Sequence, residues 1–237
     1  MISGGAYNSA TASSATIGGG RYNIASGAGA FIGGGGFDGA TQPGNKAHAP
    51  ASTISGGSNN IITTTASYGT IGGGYGNVAN GTYATVSGGR LGLATHYGEM
   101  AYASGAFANA GDAQTSTYVV RNTTSNNTPT ELFLDGSAAR ITIATNRVLT
   151  FDILVVGVNT TNGNSGGYRL AGVIKNIAGT TSFVGTPNQT ILGEDTASWD
   201  ATVVADNTND ALVIQVTGAA GATIRWVATV RTVEVSN

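Results

Sequence analysis

Aliphatic residues followed by paired glycines recur along the first half of the chain. Six segments share this pattern: residues 2–8, 17–23, 32–38, 54–60, 71–77 and 86–92. Their leading aliphatic residues are 15, 15, 22, 17 and 15 positions apart, and a weaker seventh unit follows at residues 97–102. A repeat of this length with two turn clusters is typical of a solenoid whose successive coils pair with one another.

The glycine content of these repeats decides which elements the coils contain. Each glycine in a helix interior costs about 1 kcal/mol, so the pattern excludes helices and predicts two short parallel strands per coil. The glycine pairs are suited to positive φ at tight corners, and we expect the repeat asparagine to occupy a left-handed position as well. Only one aliphatic residue and a few alanines per coil can point inward. Because so thin a core needs neighbours, we predict three rolls packed around one axis.

The second half alternates apolar and polar residues with period two, which predicts a run of short strands. Turn signals such as Asp135-Gly136 and Ala220-Gly221 separate them. The pattern predicts an antiparallel β-sandwich or jelly-roll-like domain. The ten predicted strands are residues 117–121, 131–134, 140–143, 148–158, 168–176, 182–184, 190–192, 201–205, 211–217 and 223–235.

Composition changes abruptly between the two halves. Residues 1–112 hold 27 of the 38 glycines and only six charged side chains. We therefore predict two domains, 1–112 and 113–237. Charged residues make up 9% of the chain against about 25% in an ordinary soluble domain, which favours burial against other copies. The formal net charge of −2 gives no electrostatic footprint for nucleic acid or an anionic membrane.

Three further features of the sequence concern its processing. It contains no cysteine, hence no disulfide framework. No apolar run approaches the roughly 18 residues of a membrane helix, so membrane insertion is not expected. The N-terminus lacks the basic and apolar regions of a signal peptide, and Met1 leads directly into a repeat. We expect a fragment whose natural N-terminal part is missing.

Two stretches resemble known families. The pattern Ile-Gly-Gly-Gly-x-x-Asn-x-Ala-Ser-Gly, seen at residues 17–27, resembles the head repeats of trimeric autotransporter adhesins of the YadA type, which also occur in bacteriophage tail fibres. Residues 97–116 are similar to a segment of phage tail-fibre and host-specificity proteins that leads, as here, into residues 128–136 and later 224–235. The resemblance implies a trimeric β-roll and a role in host attachment.

Catalytic and cofactor motifs are sparse. The run at residues 18–23 lacks the Gly-Lys-Ser/Thr ending of a phosphate loop, and Asp38 alone cannot supply the six to eight oxygen ligands of calcium. His48 and His96 have no companion at metal-ligand or triad spacing. Glu194 and Asp195, with Asp200 nearby, form a cluster of carboxylate side chains of the kind that glycoside hydrolysis requires, although acidic turns are common. We therefore predict a protein that is not an enzyme and has no cofactor or metal.

Sugars bind through aromatic faces and planar polar side chains, which selects the candidate receptor-binding residues. Residues 45–51 belong to the interval that breaks the repeat period, so we predict a specificity loop there. Tyrosines 22, 75, 83, 97 and 102 lie near predicted roll corners or strand ends. The candidate site comprises Tyr97, Tyr102, Asn45, Lys46, His48, Trp199 and Asp200.

The functional hypothesis follows from these patterns and the resemblance. We expect a homotrimeric distal segment of a phage tail fibre, located in the virion, that binds a bacterial surface receptor of glycan or outer-membrane type and adjoins the remainder of the fibre. Three alternatives stay open. They are the head of a bacterial trimeric autotransporter adhesin, a polysaccharide-degrading tailspike and a purely structural trimerisation module.

Overall fold

The computed structural model describes residues 1–37, 39–40 and 44–236 of the chain. Its described residues form β-strands and turns with no helix, so the predicted all-β class is confirmed. The chain divides into two compact units, Met1–Ser116 and Thr117–Asn237. The boundary predicted after Asp112 stays a prediction. Among the described residues, no helix of a length and hydropathy that could span a membrane is found.

The first unit is a parallel β-solenoid of about six turns, where the sequence predicted seven coils. Two short strands form each coil, and strands of successive coils pair in parallel in two sheets. One sheet has the order β1(Ser9–Ala10), β3(Ile24–Ala25), β5(Lys46–Ala47), β7(Ile61–Ile62), β9(Val78–Ala79) and β11(Leu93–Ala94). The other contains β2(Thr16–Ile17), β4(Phe31–Ile32), β6(Thr53–Ile54), β8(Thr70–Ile71), β10(Thr85–Gly89) and β12(Met100–Ala103).

The solenoid core consists of rows in which one small or aliphatic side chain per coil stacks on the next. From the second repeat onward the leading aliphatic residues point inward and are fully buried, as at Ile17, Ile32, Ile54 and Ile71. The facing row contains Ala25, Ala47, Ile62, Ala79 and Ala94. Glycine is required where coils approach closely: a Cβ on Gly57, whose φ is 82°, would lie 2.1 Å from the carbonyl oxygen of Gly74.

A ladder of asparagines runs through the solenoid at one corner, which corrects the expected role of this residue. Asn45 and Asn60 are fully buried, and positive φ falls on the preceding residue, as at Tyr22 and Asn59, both near 59°. Asn23 donates its side-chain amide to Asn8 Oδ1 at 3.2 Å and to the carbonyl oxygens of Gly19 and Gly35. The asparagine is therefore selected for hydrogen bonding between coils and not for a left-handed backbone.

The predicted specificity loop at residues 45–51 is wrong in its position. Asn45 is a member of the buried ladder, and Lys46 with Ala47 forms β5, which pairs with β3 and β7. Ala49 is buried in the solenoid core. The residues that lengthen this coil precede Asn45. The expectation for Asp38 lies outside the described residues.

The second unit is antiparallel, and each of the ten predicted strands has a counterpart. In the larger sheet, neighbouring strands follow the order β18(Thr180–Phe183), β17(Ser165–Ile177), β16(Arg147–Asn159), β22(Ile224–Ser236) and β13(Ala113–Thr124), with β19(Asn188–Glu194) also pairing with β17. In the smaller sheet, β21(Ala211–Thr217) pairs along its whole length with β20(Asp200–Asp206), and its two ends pair with β14(Thr130–Glu131) and β15(Ile141–Thr142). Trp226 is buried on the inner side of β22, where its Nε1 donates to Thr124 Oγ1 at 3.0 Å.

Candidate functional site

Four tyrosines of the solenoid occupy corner positions that disfavour their residue type. Tyr7, Tyr22, Tyr68 and Tyr83 all have φ between 58° and 61°. A left-handed backbone at a residue with a side chain costs of the order of 1–3 kcal/mol, whereas glycine adopts it freely. Corresponding corners of other coils carry Gly29 and Gly76 but also Ser14, Ala51, Asn59 and Leu91, all with positive φ. The left-handed corner therefore accepts several residue types, and what distinguishes the tyrosines is the contact between their rings.

The corner tyrosines stack in pairs along the solenoid axis. The ring centroids of Tyr7 and Tyr22 are 4.8 Å apart with planes at 12°, and those of Tyr68 and Tyr83 are 5.0 Å apart at 8°. These distances match the spacing of about 4.8 Å between neighbouring strands, because each ring comes from the same corner of the next coil. Tyr97 extends the second pair edge-on, 5.2 Å from Tyr83. We call Tyr7 and Tyr22 the first tyrosine row and Tyr68, Tyr83 and Tyr97 the second.

Both rows are open to solvent. Tyr7, Tyr68 and Tyr83 expose 68%, 56% and 48% of their surface. The corner preceding Tyr68 carries only Ala51, so no large side chain from that corner stacks against the second row. Flat aromatic surface that ends in a hydroxyl group offers both an apolar face and a hydrogen-bonding group to a ligand.

A guanidinium group accompanies the first tyrosine row. Arg21 Cζ lies 5.9 Å from the ring centroid of Tyr7, 5.7 Å from that of Tyr22 and 5.1 Å from that of Phe37. Rings at these distances attract the cation through their quadrupoles. Among the residues that the structure describes, Arg21 Nε is buried without a hydrogen-bond partner, while the side chain as a whole is half-buried. The corner thus combines aromatic rings with a planar hydrogen-bond donor.

Of the predicted site residues in the first unit, the structure brings only Tyr97 to a tyrosine row. Tyr102 is exposed on β12 outside both rows. His48 is half-buried, with its Nδ1 2.7 Å from Ser26 Oγ, and Lys46 is half-buried on β5. Asn45 is enclosed by the ladder and is unavailable to a receptor.

Trp199 and Asp200 belong to the second unit and do not form an exposed pair. Trp199 is buried and packs edge-on against Trp226, with ring centroids 5.4 Å apart, which contradicts a direct receptor contact for its ring. Asp200 Oδ1 accepts a hydrogen bond from Gln189 Nε2 at 2.5 Å. Both side chains therefore stabilise the second unit.

Tyr7, Tyr68 and the role of Arg21 were not predicted from the sequence. The signal was present, because Tyr7 and Tyr22 are 15 positions apart and so are Tyr68 and Tyr83. That spacing equals the repeat period and places each pair at equivalent corners.

An acidic groove lies at the edge of β17 in the second unit. It encloses about 360 Å³ and is lined by Val156, Ser165, Gly166, Gly167, Gly193, Glu194 and Asp195. Glu194 Oε2 accepts a hydrogen bond from the Tyr168 hydroxyl at 2.8 Å, and Asp195 Oδ2 accepts one from the Ser165 N–H at 2.8 Å. Burial, together with the neighbouring Glu194 carboxylate, raises the pKa of Tyr168, so its hydroxyl remains a donor at neutral pH. The groove holds two carboxylates whose positions are fixed by hydrogen bonds.

Metal ligands are not clustered in the part of the chain that the structure describes. No group of three or more His, Asp or Glu residues there is arranged to hold an ion.

Comparisons with known proteins give structural similarities alone. No family model and no curated protein matches the chain. It is similar to the tailspike protein gp49 of Acinetobacter baumannii bacteriophage Fri1, a capsular polysaccharide depolymerase, with 11% identity and a TM-score of 0.32 over 93% of this chain and 39% of that one. For the tailspike protein of Acinetobacter baumannii phage AM24 the identity is 10% and the TM-score 0.26, over 100% and 54% of the two chains.

A third similarity is to the tailspike protein of Acinetobacter phage vB_ApiP_P1, with 12% identity and a TM-score of 0.22 over 99% of this chain and 54% of that one. The chain thus spans about half the length of these proteins or less. The prediction that the protein is not an enzyme is corrected by this comparison, because the first of the similar structures is a depolymerase.

Proposed function

We propose that the protein is part of a phage tail fibre or tailspike that attaches the virion to a polysaccharide on the bacterial surface. The observation that carries the proposal is the stacking of exposed tyrosines from successive coils into two rows. Aromatic rings exposed in a row offer a ligand a continuous apolar surface edged by hydroxyl groups. A protein with this function is located in the tail of the virion.

Saccharide units fit the chemistry of the tyrosine rows. The C–H faces of a sugar ring pack on aromatic rings, and its hydroxyl groups form hydrogen bonds with phenolic hydroxyls and with a guanidinium group such as that of Arg21. Rings repeated at the coil spacing present the same surface several times along the solenoid. A polymer with repeating units gains from such repetition, because each further contact is intramolecular.

The assembly we propose is a homotrimer whose second unit is a β-sandwich. The two antiparallel sheets of that unit touch through β17 with β20 and β18 with β20, which supports packing of one sheet on the other. The low content of charged residues supports association of copies. Three copies per fibre raise avidity without any increase in the affinity of one site. The remainder of the tail is the second partner.

Cleavage of the bound polysaccharide is a second candidate function, and the acidic groove favours it. Glycoside hydrolysis uses two carboxyl groups on either side of the scissile bond, and Glu194 and Asp195 both line this groove. The test is incubation of the protein with purified capsular polysaccharide, followed by measurement of reducing ends. Glu194→Gln and Asp195→Asn should each abolish the release of reducing ends if the groove carries the reaction.

Selective oxidation of cells tests the attachment proposal. Fluorescently labelled protein is applied to a susceptible strain whose surface has been treated either with periodate, which destroys sugar diols, or with protease. Binding should be lost after periodate and retained after protease. Loss after protease alone would contradict a polysaccharide receptor. Binding to no strain would favour a spacer module. Genes for tail proteins next to the gene of this protein would argue against an autotransporter head, whereas a neighbouring sequence that encodes membrane-anchor strands would favour one.

A further inference from the structure

The outer surface of the three central strands in the larger sheet of the second unit is unusually apolar. Along β16 and β22 the inward residues, such as Ile153 and Trp226, are buried, whereas Leu154, Val156 and Val233 expose 54%, 56% and 65% of their surface. The register places Val156 beside Val227. We define the valine face by its exposed apolar residues Leu154, Val156, Val158, Val227, Val233 and Val235. Contiguous exposed apolar surface of this kind is typical of interaction sites.

Cationic side chains lie between and beside the apolar residues of the valine face. Asp152 accepts hydrogen bonds from Arg169 Nε at 2.8 Å and Nη2 at 3.1 Å, and the register places Arg231 on its other side. Lys175 and Arg225 occupy outward positions on β17 and β22. Four cations therefore accompany one carboxylate, and the face has a net positive charge.

A long segment of the same unit has the opposite charge. Residues 176–224 contain no lysine and no arginine but five acidic residues, Glu194, Asp195, Asp200, Asp206 and Asp210. This acidic segment supplies β18 to β21. Glu194 and Asp195 lie in the acidic groove beside Val156 of the valine face, whereas Asp200 and Asp206 lie on β20 and Asp210 directly precedes β21 in the smaller sheet. Each copy of the chain therefore carries a cationic apolar face on the larger sheet and three carboxylates at the smaller sheet.

We propose that the valine face is a contact surface for a second copy of this chain and meets Asp200, Asp206 and Asp210 of that copy. Two valine faces placed against each other would bring Arg169 and Arg231 close to their own equivalents, which is unfavourable. Contact with these three carboxylates pairs opposite charges and covers the apolar side chains. A head-to-tail contact closes into a ring of three when each copy is rotated by one third of a turn relative to the last, so this inference rests on the proposed homotrimer and names the surfaces that form it.

Thiol protection tests the contact with little structural disturbance, because the chain has no cysteine of its own. Val227→Cys introduces one thiol in the valine face, and Phe107→Cys introduces one at an exposed position of the first unit. The mass in solution is measured for the unaltered protein and both variants. For the mass in solution we expect about three times the 23.5 kDa of one chain. Each thiol is then labelled with a maleimide. Because a buried interface excludes this reagent, the thiol at position 227 should react about tenfold more slowly than the thiol at position 107.

Two further variants test the chemistry of the contact. Val227→Glu should dissociate the trimer into folded monomers, as judged by far-ultraviolet circular dichroism, while Phe107→Glu should leave it intact. Arg231→Glu should weaken the trimer, because it removes a positive charge that faces carboxylates of the next copy. If two valine faces met each other instead, the same substitution would relieve the repulsion between like charges and strengthen the trimer.

The outcomes separate this inference from the proposal on which it rests. A trimer in which both thiols react at the same rate would overturn the assignment of the face and leave the trimer standing. Strengthening by Arg231→Glu would overturn the head-to-tail contact. A monomeric unaltered protein would overturn the trimer and this inference together, while attachment to polysaccharide would remain a separate measurement.

Discussion

Asn60 and Asn45 are joined through one oxygen atom: Asn45 Oδ1 accepts from the backbone N–H of Asn60 and from its side-chain amide, each at 3.1 Å. Asn77 repeats the backbone contact to Asn60 Oδ1 at 3.0 Å. The asparagine ladder therefore satisfies buried polar groups of two coils with a single side chain. Its loss in one coil leaves donors and acceptors unpaired in the coils on both sides.

Asn60→Ala is expected to lower the free energy of unfolding by about 2–4 kcal/mol. Each buried polar group left without a partner costs about 1–3 kcal/mol, and the substitution removes the acceptor of the Asn77 N–H together with the donors to Gly56 and Gly74. Denaturant unfolding followed by circular dichroism measures the change. Asn80→Ala is the matched control, because the exposed side chain of Asn80 accepts hydrogen bonds from the hydroxyl groups of Thr63 and Thr65 at the surface. Equal losses for both variants would contradict the role of the ladder.

Tyr68→Gly with Tyr83→Gly separates binding from folding. Glycine relieves the strain of two left-handed corners, which offsets the lost stacking, so the melting temperature should change little. Binding to purified surface polysaccharide should fall by about tenfold or more, as expected when a stacking contact of about 1.4 kcal/mol is lost. Tyr102→Ala removes an exposed tyrosine outside the rows and should leave binding unchanged. Retained binding in the double variant would show that the second row is not the ligand surface.

Glu99 makes the last coil sensitive to acid. Burial alone raises its pKa, but hydrogen bonds from His96 and Ser116 and the charge of His96 outweigh this and lower the pKa below the ordinary 4.5. The ionised form is therefore favoured in the folded state. Its stabilisation is complete above pH 4.5 and is lost as the pH falls through the lower folded value.

Melting curves between pH 7 and pH 3 measure this effect. The unaltered protein should lose stability across the acidic range, and Glu99→Gln, which cannot ionise, should show a smaller pH dependence together with lower stability at pH 7. An unchanged pH dependence in the variant would assign the acid sensitivity to other carboxylates.

Gly157 makes room for Trp226 in the second unit. A Cβ at position 157 would lie 2.4 Å from the indole Cε3 and Cζ3 atoms. Gly157→Ala should destabilise the protein by about 1–3 kcal/mol, the usual cost of overpacking. At Gly193 no heavy atom lies within 4 Å of the added Cβ, so Gly193→Ala should be nearly neutral in the same unfolding assay. A neutral Gly157→Ala would mean that the ring moves at little cost.

Sequence patterns predicted most of the fold but less of the candidate site. The repeat period predicted the parallel solenoid, and alternation located strands such as 211–217, which coincides with β21(Ala211–Thr217). The asparagine was misassigned because glycine-rich turns do not show which residue of the corner is left-handed. The loop at 45–51 was misplaced because an insertion is located only by aligning coils, and Asn45 aligns with Asn23 and Asn60.

The tyrosine rows depend on equivalent corners lying above one another in space. Tyr7 and Tyr22 are adjacent because one coil separates them, a relationship that residue type alone does not express. Trp199 was selected for its aromatic ring, yet burial against Trp226 removes that ring from the surface. The solvent exposure of an aromatic ring was thus the property that could not be predicted from the sequence.

The decisive experiment for attachment through the tyrosine rows measures binding of the labelled protein to a panel of bacterial strains, with and without the Tyr68→Gly and Tyr83→Gly substitutions. We expect strain-selective binding that free surface polysaccharide from the same strain competes away and that the double variant loses. Binding that is equal across strains, or that persists in the double variant, would contradict attachment through the tyrosine rows.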